Sequence, residues 1–235
     1  MDKEQAQNLE ELQKLSSATK NLGKQLHAIT PNFYPFDLFL IAALNRTINL
    51  NRAFIELSKE NNFIAAAPLV RINLDTYLRL YAPRVSNLEF NEFASKVIFE
   101  QKKINNLKST ERTENGKLKS LSDNFLKNSI SQIEGCEWVA KIYDAGSSFI
   151  HLDSNMFFAS RKVNSEEEKT ISLTIGYHDS FVPQSEKTGA AFWMNKITEG
   201  IIEQAMLWIA EKANDFGFDI KKLNNLDDLN NQKEE

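Results

Sequence analysis

Apolar residues recur at intervals of three and four along most of this chain, the period of a helix with one buried face. Residues 3–28 carry Leu9, Leu12, Leu15, Leu22 and Leu26 on one stripe of an otherwise polar helix. Pro31 and Pro35 in TPNFYP close it, because proline removes a donor and disfavours helical backbone before it. FDLFLIAALNRTINLNRAFIELSKEN, 36–61, repeats the period at Leu40, Leu44, Ile48 and Ile55. It is apolar around most of its circumference at its start, the mark of a central helix. A third helix is predicted over 61–83, capped by Asn61 or Asn62, with Pro68 in its first turns or at a kink. Phe90, Phe93, Val97 and Ile104 predict a fourth over 87–108, followed by a solvated loop at 109–117. The run Leu118, Leu121, Phe125, Ile130, Ile133, Val139, Ile142, Phe149 predicts one long helix from 117 to 151. A strongly apolar last helix spans 189–217 and stops at Gly217.

The period changes between 155 and 188. Ile171, Leu173 and Ile175 alternate with polar residues beside the acidic turn NSEEE, so a β-hairpin or extended excursion is predicted there. The Asn- and charge-rich tail is expected to be disordered. The predicted fold is therefore an all-α bundle of five to six long helices with a short β-hairpin or loop insertion near 155–180. Its parts are an N-terminal amphipathic helix over 1–30, a helical bundle domain over 36–217 and a disordered tail over 218–235. First and last helices that are apolar on two sides need two neighbours, so a homodimer or another protein partner is expected.

Composition sharpens this picture. A 235-residue chain with 42% hydrophobic residues and 16 Phe can bury a real core, and its eight Gly and five Pro favour long helices over many short strands. The net charge of −4 excludes a general affinity for nucleic acid and leaves room only for a local basic face. Cys136 stands alone and forms no internal disulfide. MDKEQAQNLEELQ is too polar for a secretory segment, and no apolar run is long enough for a bilayer. A soluble cytoplasmic protein without membrane contact is expected.

Candidate chemistry gathers in two places. Arg71, Asp75 and Arg79 follow one another at four-residue steps on an otherwise apolar helix, and so share a face. They read either as an internal ion pair that sets helix register or as a guanidinium that holds an anion. The preceding helix carries Asn45, Arg46, Asn49 and Arg52 close to one face, which satisfy one another or line a polar cleft opposite Arg71 and Asp75. In YDAGSSFIHLDSN, 143–155, Asp144, Ser147 or Ser148, and His151 recur at helical spacing. A Ser–His–Asp triad is not the reading, because the three lie side by side on one helix with no G-x-S-x-G elbow. His151 with Asp153, and His178 with Asp179, lack metal-site spacing, so no metal or cofactor is expected. A plainer role for His151 is a helix C-terminal residue, with Ala145, Gly146, Ser147 and Ser148 allowing close helix approach.

The run AALNRTINLNRAFIELSKENNFIAAAPLVRINLDTYLRLYA, with YDAGSSFIHLD far downstream, resembles a broad group of bacterial helical proteins similar to HEPN-type domains. Those domains occur in toxin and phage-defence ribonucleases and in helical nucleotide-binding partners. The resemblance covers roughly 36–155. It implies a polar cluster of Arg71, Asp75, Ser147 and His151, with His151 as base or acid and Arg71 on phosphate. By it, RNA or a nucleotide is the implied ligand and Arg71, Ser147 and His151 the implied catalytic set; taken with the polar helix faces above, Arg46, Asn49, Arg52, Asp75, Arg79 and Tyr143 are the candidate ligand-binding residues. One departure stands out. The six positions before His151, from Ala145 to Ile150, contain no Arg, where the family's ribonucleases carry one. Any cation must come from another helix, with Arg71 the best placed.

Overall fold

Local capping sets where the helices begin. In a computed structural model, which describes residues 1–150, 160–167, 169–173, 175–176, 179 and 181–225, Asp2 accepts the Gln5 backbone N–H at 2.7 Å and opens α1 (Lys3–Ile29). Thr30 is extended ahead of Pro31, so α1 stops there. Pro35 then occupies the first turn of α2 (Pro35–Lys59), and Asp37 Oδ2 accepts the Tyr34 N–H at 2.8 Å. Asn62 caps α3 (Phe63–Val85) by accepting from Ala65 N. α4 (Phe90–Ile98), α5 (Asp123–Ser131), α6 (Trp138–Ile150) and the 32-residue α7 (Gln184–Asp215) complete the α-helices among the described residues. Two antiparallel hairpins join them: β1 (Lys108–Arg112) with β2 (Leu118–Ser120), and β3 (Arg161–Ser165) with β4 (Thr170–Leu173). In the second, Arg161 faces Leu173 and Val163 faces Ile171. The all-α class and the short hairpin insertion are as the sequence predicts.

Four long helices, α1, α2, α3 and α7, pack as a bundle in that cyclic order. Thr188 donates to Asp2 and Asn195 to the Asn8 carbonyl, so α7 runs parallel to α1. Trp208 and Lys212 meet Asp37 while Thr198 meets Asn51, so α7 is antiparallel to α2. α3, antiparallel to α2, lies parallel to α7. Parallel neighbours demand a long crossover, and residues 86–183 supply it. α1 is thus a full member of the bundle, with Leu12 and Leu26 completely buried against its neighbours.

Three stretches depart from the sequence reading. The helix expected over 87–108 ends at Ile98, because EQKK at 100–103 offers no apolar face to bury. The loop expected at 109–117 is a hairpin that turns at Gly116, whose φ of 73° suits glycine. The single helix expected over 117–151 is β2, α5 and α6. Gly135, at φ 82°, reverses the chain between the two helices, where the apolar spacing opens to six positions between Ile133 and Val139, and both helices face one core. The tail begins as a 3₁₀ segment, Ile220–Asn225, with Leu223 buried; 226–235 lie outside the described residues.

Polar groups at the Asp37 and Asn51 levels of the bundle are matched, whereas Asn8 Nδ2 and Asn195 Oδ1 are buried without a partner. Asp37 and Lys212 are 0% and 2% exposed in their side chains and pair at 2.6 Å, while Asp37 Oδ1 accepts from Trp208 Nε1 at 2.8 Å. Deeper in, Asn51 accepts from Thr198 and donates to Ser16, and Thr47 donates to Asn73, so α1, α2, α3 and α7 are stitched at one level. Gly200 of α7 sits against Tyr77, where a Cβ would meet the ring at 2.9 Å. Burial, followed by the neighbouring Cys136, pushes the Tyr77 hydroxyl well above its ordinary range, so it stays neutral.

Three substitutions test this packing through stability. Lys212→Met leaves Asp37 charged and unpaired, and urea unfolding is expected to show a loss of about 3–5 kcal/mol. Gly200→Ala forces α3 and α7 apart and is expected to cost about 1–3 kcal/mol. Gly189→Ala, with nothing within 4 Å, is expected to gain about 0.5–1 kcal/mol from helix propensity. Equal effects of the two alanines would contradict the close α3–α7 contact.

Candidate functional site

A single stripe of α2 supplies one wall of a cleft between α2 and α3. Phe39, Ala42, Ala43 and Arg46 recur at i, i+3, i+4 and i+7, so one face offers a ring, a shallow floor and a guanidinium. Asp75, Thr76 and Arg79 of α3 form the opposite wall, and Lys103, Ile104 and Asn105 close the end. The enclosed volume is about 460 Å³, within the range of small-molecule sites.

The charges here are unequally engaged. Arg79 is held on every side: Nε donates to Asp75 Oδ1 at 3.2 Å, Nη1 to Asn105 Oδ1 at 2.6 Å, and Nη2 to Asp123 at the start of α5. It braces the cleft and ties α3 to the crossover. Arg46 makes one contact, Nη1 to Asp75 Oδ2 at 3.4 Å, and its side chain stays 45% exposed. Lys102 pairs with Glu100, but among the described residues Lys103 has no carboxylate partner and is exposed. Three cations thus line the cleft against one lining carboxylate, Asp75, in a protein of net charge −4. Two of them, Arg46 and Lys103, retain donors for an anion.

The other sequence-predicted residues lie elsewhere. Arg71 and Asp75 are one turn apart but do not pair. Asp75 turns to Arg46 and Arg79, while Arg71, 7% exposed, lies beneath α6 with its Cζ 3.8 Å from the Tyr143 ring centroid. Gly146 makes this fit possible, since a Cβ there would come within 2.9 Å of the Arg71 Cβ. The Arg71 Nε is buried without a hydrogen-bond partner. Ser147 donates to its own helix, to the Tyr143 carbonyl at 2.7 Å, and Asp144 pairs with Lys127 at 3.1 Å. Asn49 donates to the Asn45 carbonyl, and Arg52 pairs with Glu56 at 2.9 Å on the exposed face; the Glu56 carboxylate holds the Arg52 guanidinium above its ordinary range. His151, Asp153 and His178 lie outside the described residues, as does the side chain of Ser148. Asp179 is buried and caps α3, accepting from the backbone N–H groups of Phe63 and Ile64. No group of three His, Cys, Asp or Glu suited to a metal occurs among the described residues.

Arg46, Asp75 and Arg79 therefore meet, while Arg71 and Tyr143 form a separate cluster. Lys103, Asn105 and Asp123 were not anticipated. The KK pair at 102–103 was the one available signal, and the expected helix over 87–108 hid it. Comparison with family models, curated proteins and solved structures finds no match.

Arg71 can be tested by shape. Arg71→Met keeps the aliphatic packing and loses a cation–π contact of about 2 kcal/mol, but it also removes a buried charge whose desolvation costs several kcal/mol. Little or no net loss is expected in urea unfolding. Arg71→Ala opens a void beside Gly146 and is expected to cost about 2–4 kcal/mol. Equal losses would mean that the guanidinium charge has a partner in the folded protein.

Proposed function

We propose that this chain is a HEPN-like helical protein that binds RNA or a nucleotide through its phosphate, in a bacterial defence or toxin-type setting. The observation that carries this reading is the cleft between α2 and α3, where Arg46 and Lys103 keep free donors beside the braced Arg79. A phosphate needs convergent cations in a concave, partly desolvated site, and the chain's overall negative charge makes a local cationic cleft selective rather than general. Support for the HEPN-like part is the sequence resemblance across 36–155.

Cleavage is the finer part of the proposal. It assigns His151 as base or acid, with Arg71 and Ser147 beside it, acting without metal. Arg46 and Lys103 line the cleft between α2 and α3 while Arg71 lies beneath α6, so the phosphate-binding part of the proposal stands on residues separate from Arg71. A non-catalytic scaffold is the second reading, and the full engagement of Arg79 by Asp75, Asn105 and Asp123 favours it for that residue.

Fluorescence anisotropy with a labelled single-stranded RNA and a labelled nucleotide tests the proposal. Binding is expected for at least one, weakened about tenfold or more by Arg46→Gln or Lys103→Gln, since a hydrogen bond to a charged group contributes about 1.5–3 kcal/mol. Binding of neither, or no effect of both substitutions, overturns it. Incubation with RNA beside His151→Ala addresses cleavage, and equal turnover by both proteins removes His151 from the chemistry.

A further inference from the structure

We infer that the cleft takes a nucleoside monophosphate, bound as one molecule with its phosphate on Arg46 and Lys103 and its base against Phe39. This rests on the phosphate-binding reading and commits it to a mononucleotide rather than a polynucleotide. The first argument is dimensional. Phe39 and Arg46 lie seven positions apart on one helix face, about 10 Å along the axis. That is the reach from a nucleobase to a 5′-phosphate, and the small side chains of Ala42 and Ala43 keep the floor between them low.

The second argument is chemical polarity along that stripe. Phe39 is half-buried, set at an angle to Phe36 and edge-on to Phe93, and its exposed part faces a volume of about 460 Å³. Ile104 adds a second apolar surface at the closed end. A flat ring stacks there with any base identity, as aromatic platforms permit. Asp75 accepts from Arg46 and Arg79, and a carboxylate has about four acceptor positions, so capacity remains for a sugar hydroxyl.

The third argument is charge count. A polynucleotide binds through many phosphate contacts, each met by a cation. Among the described residues lining the cleft, the cations with unused donors are Arg46, which gives one bond to Asp75, and Lys103, inside a chain of net charge −4. Arg52, the next Arg along α2, is committed to Glu56. Two donors of this kind suit one phosphate group, while the chain's net charge of −4 repels a long polyanion.

Isothermal titration of the purified full chain with the four nucleoside 5′-monophosphates, their nucleosides, inorganic phosphate and an unphosphorylated 12-mer RNA tests this. At least one monophosphate is expected to bind at 1:1, about tenfold or more tighter than its nucleoside or inorganic phosphate, and tighter than the RNA. Arg46→Gln, at an exposed position, is expected to weaken the monophosphate about tenfold. Phe39→Leu is expected to weaken the monophosphate but leave inorganic phosphate unchanged, with circular dichroism confirming the fold. A monophosphate bound no better than inorganic phosphate, or unaffected by Phe39→Leu, overturns the base subsite. RNA bound more tightly than every monophosphate, in an Arg46-dependent way, overturns this inference and leaves the broader reading intact. Binding of nothing removes both.

Discussion

One buried ion pair governs how the bundle closes. Asp37 at the start of α2 accepts from Lys212 and Trp208 near the end of α7, with Phe36, Phe90 and Trp208 packed edge-on and face-on around it. Two charges in an apolar interior tolerate no slippage, because a shift of one turn leaves each without its partner. The pair fixes the axial register of α7 against α2. The Asn51–Thr198 and Thr47–Asn73 bonds repeat that register at mid-bundle.

That register has a topological consequence. With α7 antiparallel to α2, it lies parallel to both α1 and α3, and no short loop can connect α3 to it. The chain must travel back along the bundle, and about two-fifths of its length does so between α3 and α7. On the way it lays α4 on α2, the Lys103–Asn105 turn against α3, and α5 and α6 on the far side of α3. The end wall of the cleft is therefore a by-product of the crossover, and Arg79 is the residue that fastens it, through Asn105 and Asp123.

The same helix, α3, separates two guanidinium environments one turn apart and more. Arg79 and its partners face the solvent-accessible cleft, where carboxylates balance the charge. Arg71 turns under α6, where an aromatic face and a glycine receive it. Four residues advance a helix by about 400°, so neighbours at that spacing drift round the axis by about 40° per step. Over two steps that drift is enough to carry side chains into different crevices when the packing elements differ.

Hydrophobic period alone settled the helical class, the bounds of α1, α2 and α3 to within about two residues, and the hairpin after α6. These depend on local capping and on one buried face per helix, which neighbouring residues encode. The break at Gly135 leaves a trace in the period, a gap of six positions from Ile133 to Val139, but helical spacing resumes beyond it because α5 and α6 bury their stripes in one core. Period could not show that Lys103 reaches the cleft, since that follows from where the crossover meets α2 and α3. Four-residue spacing put Asp75 and Arg79 on one face of α3, opposite Arg46 of α2, but it also put Arg71 in that group, and Arg71 lies against Tyr143 instead. Which of the charges remain free for a ligand was settled by Asn105 and Asp123, 26 and 44 positions along the chain from Arg79, because charge balance depends on distance in space and not on distance in sequence.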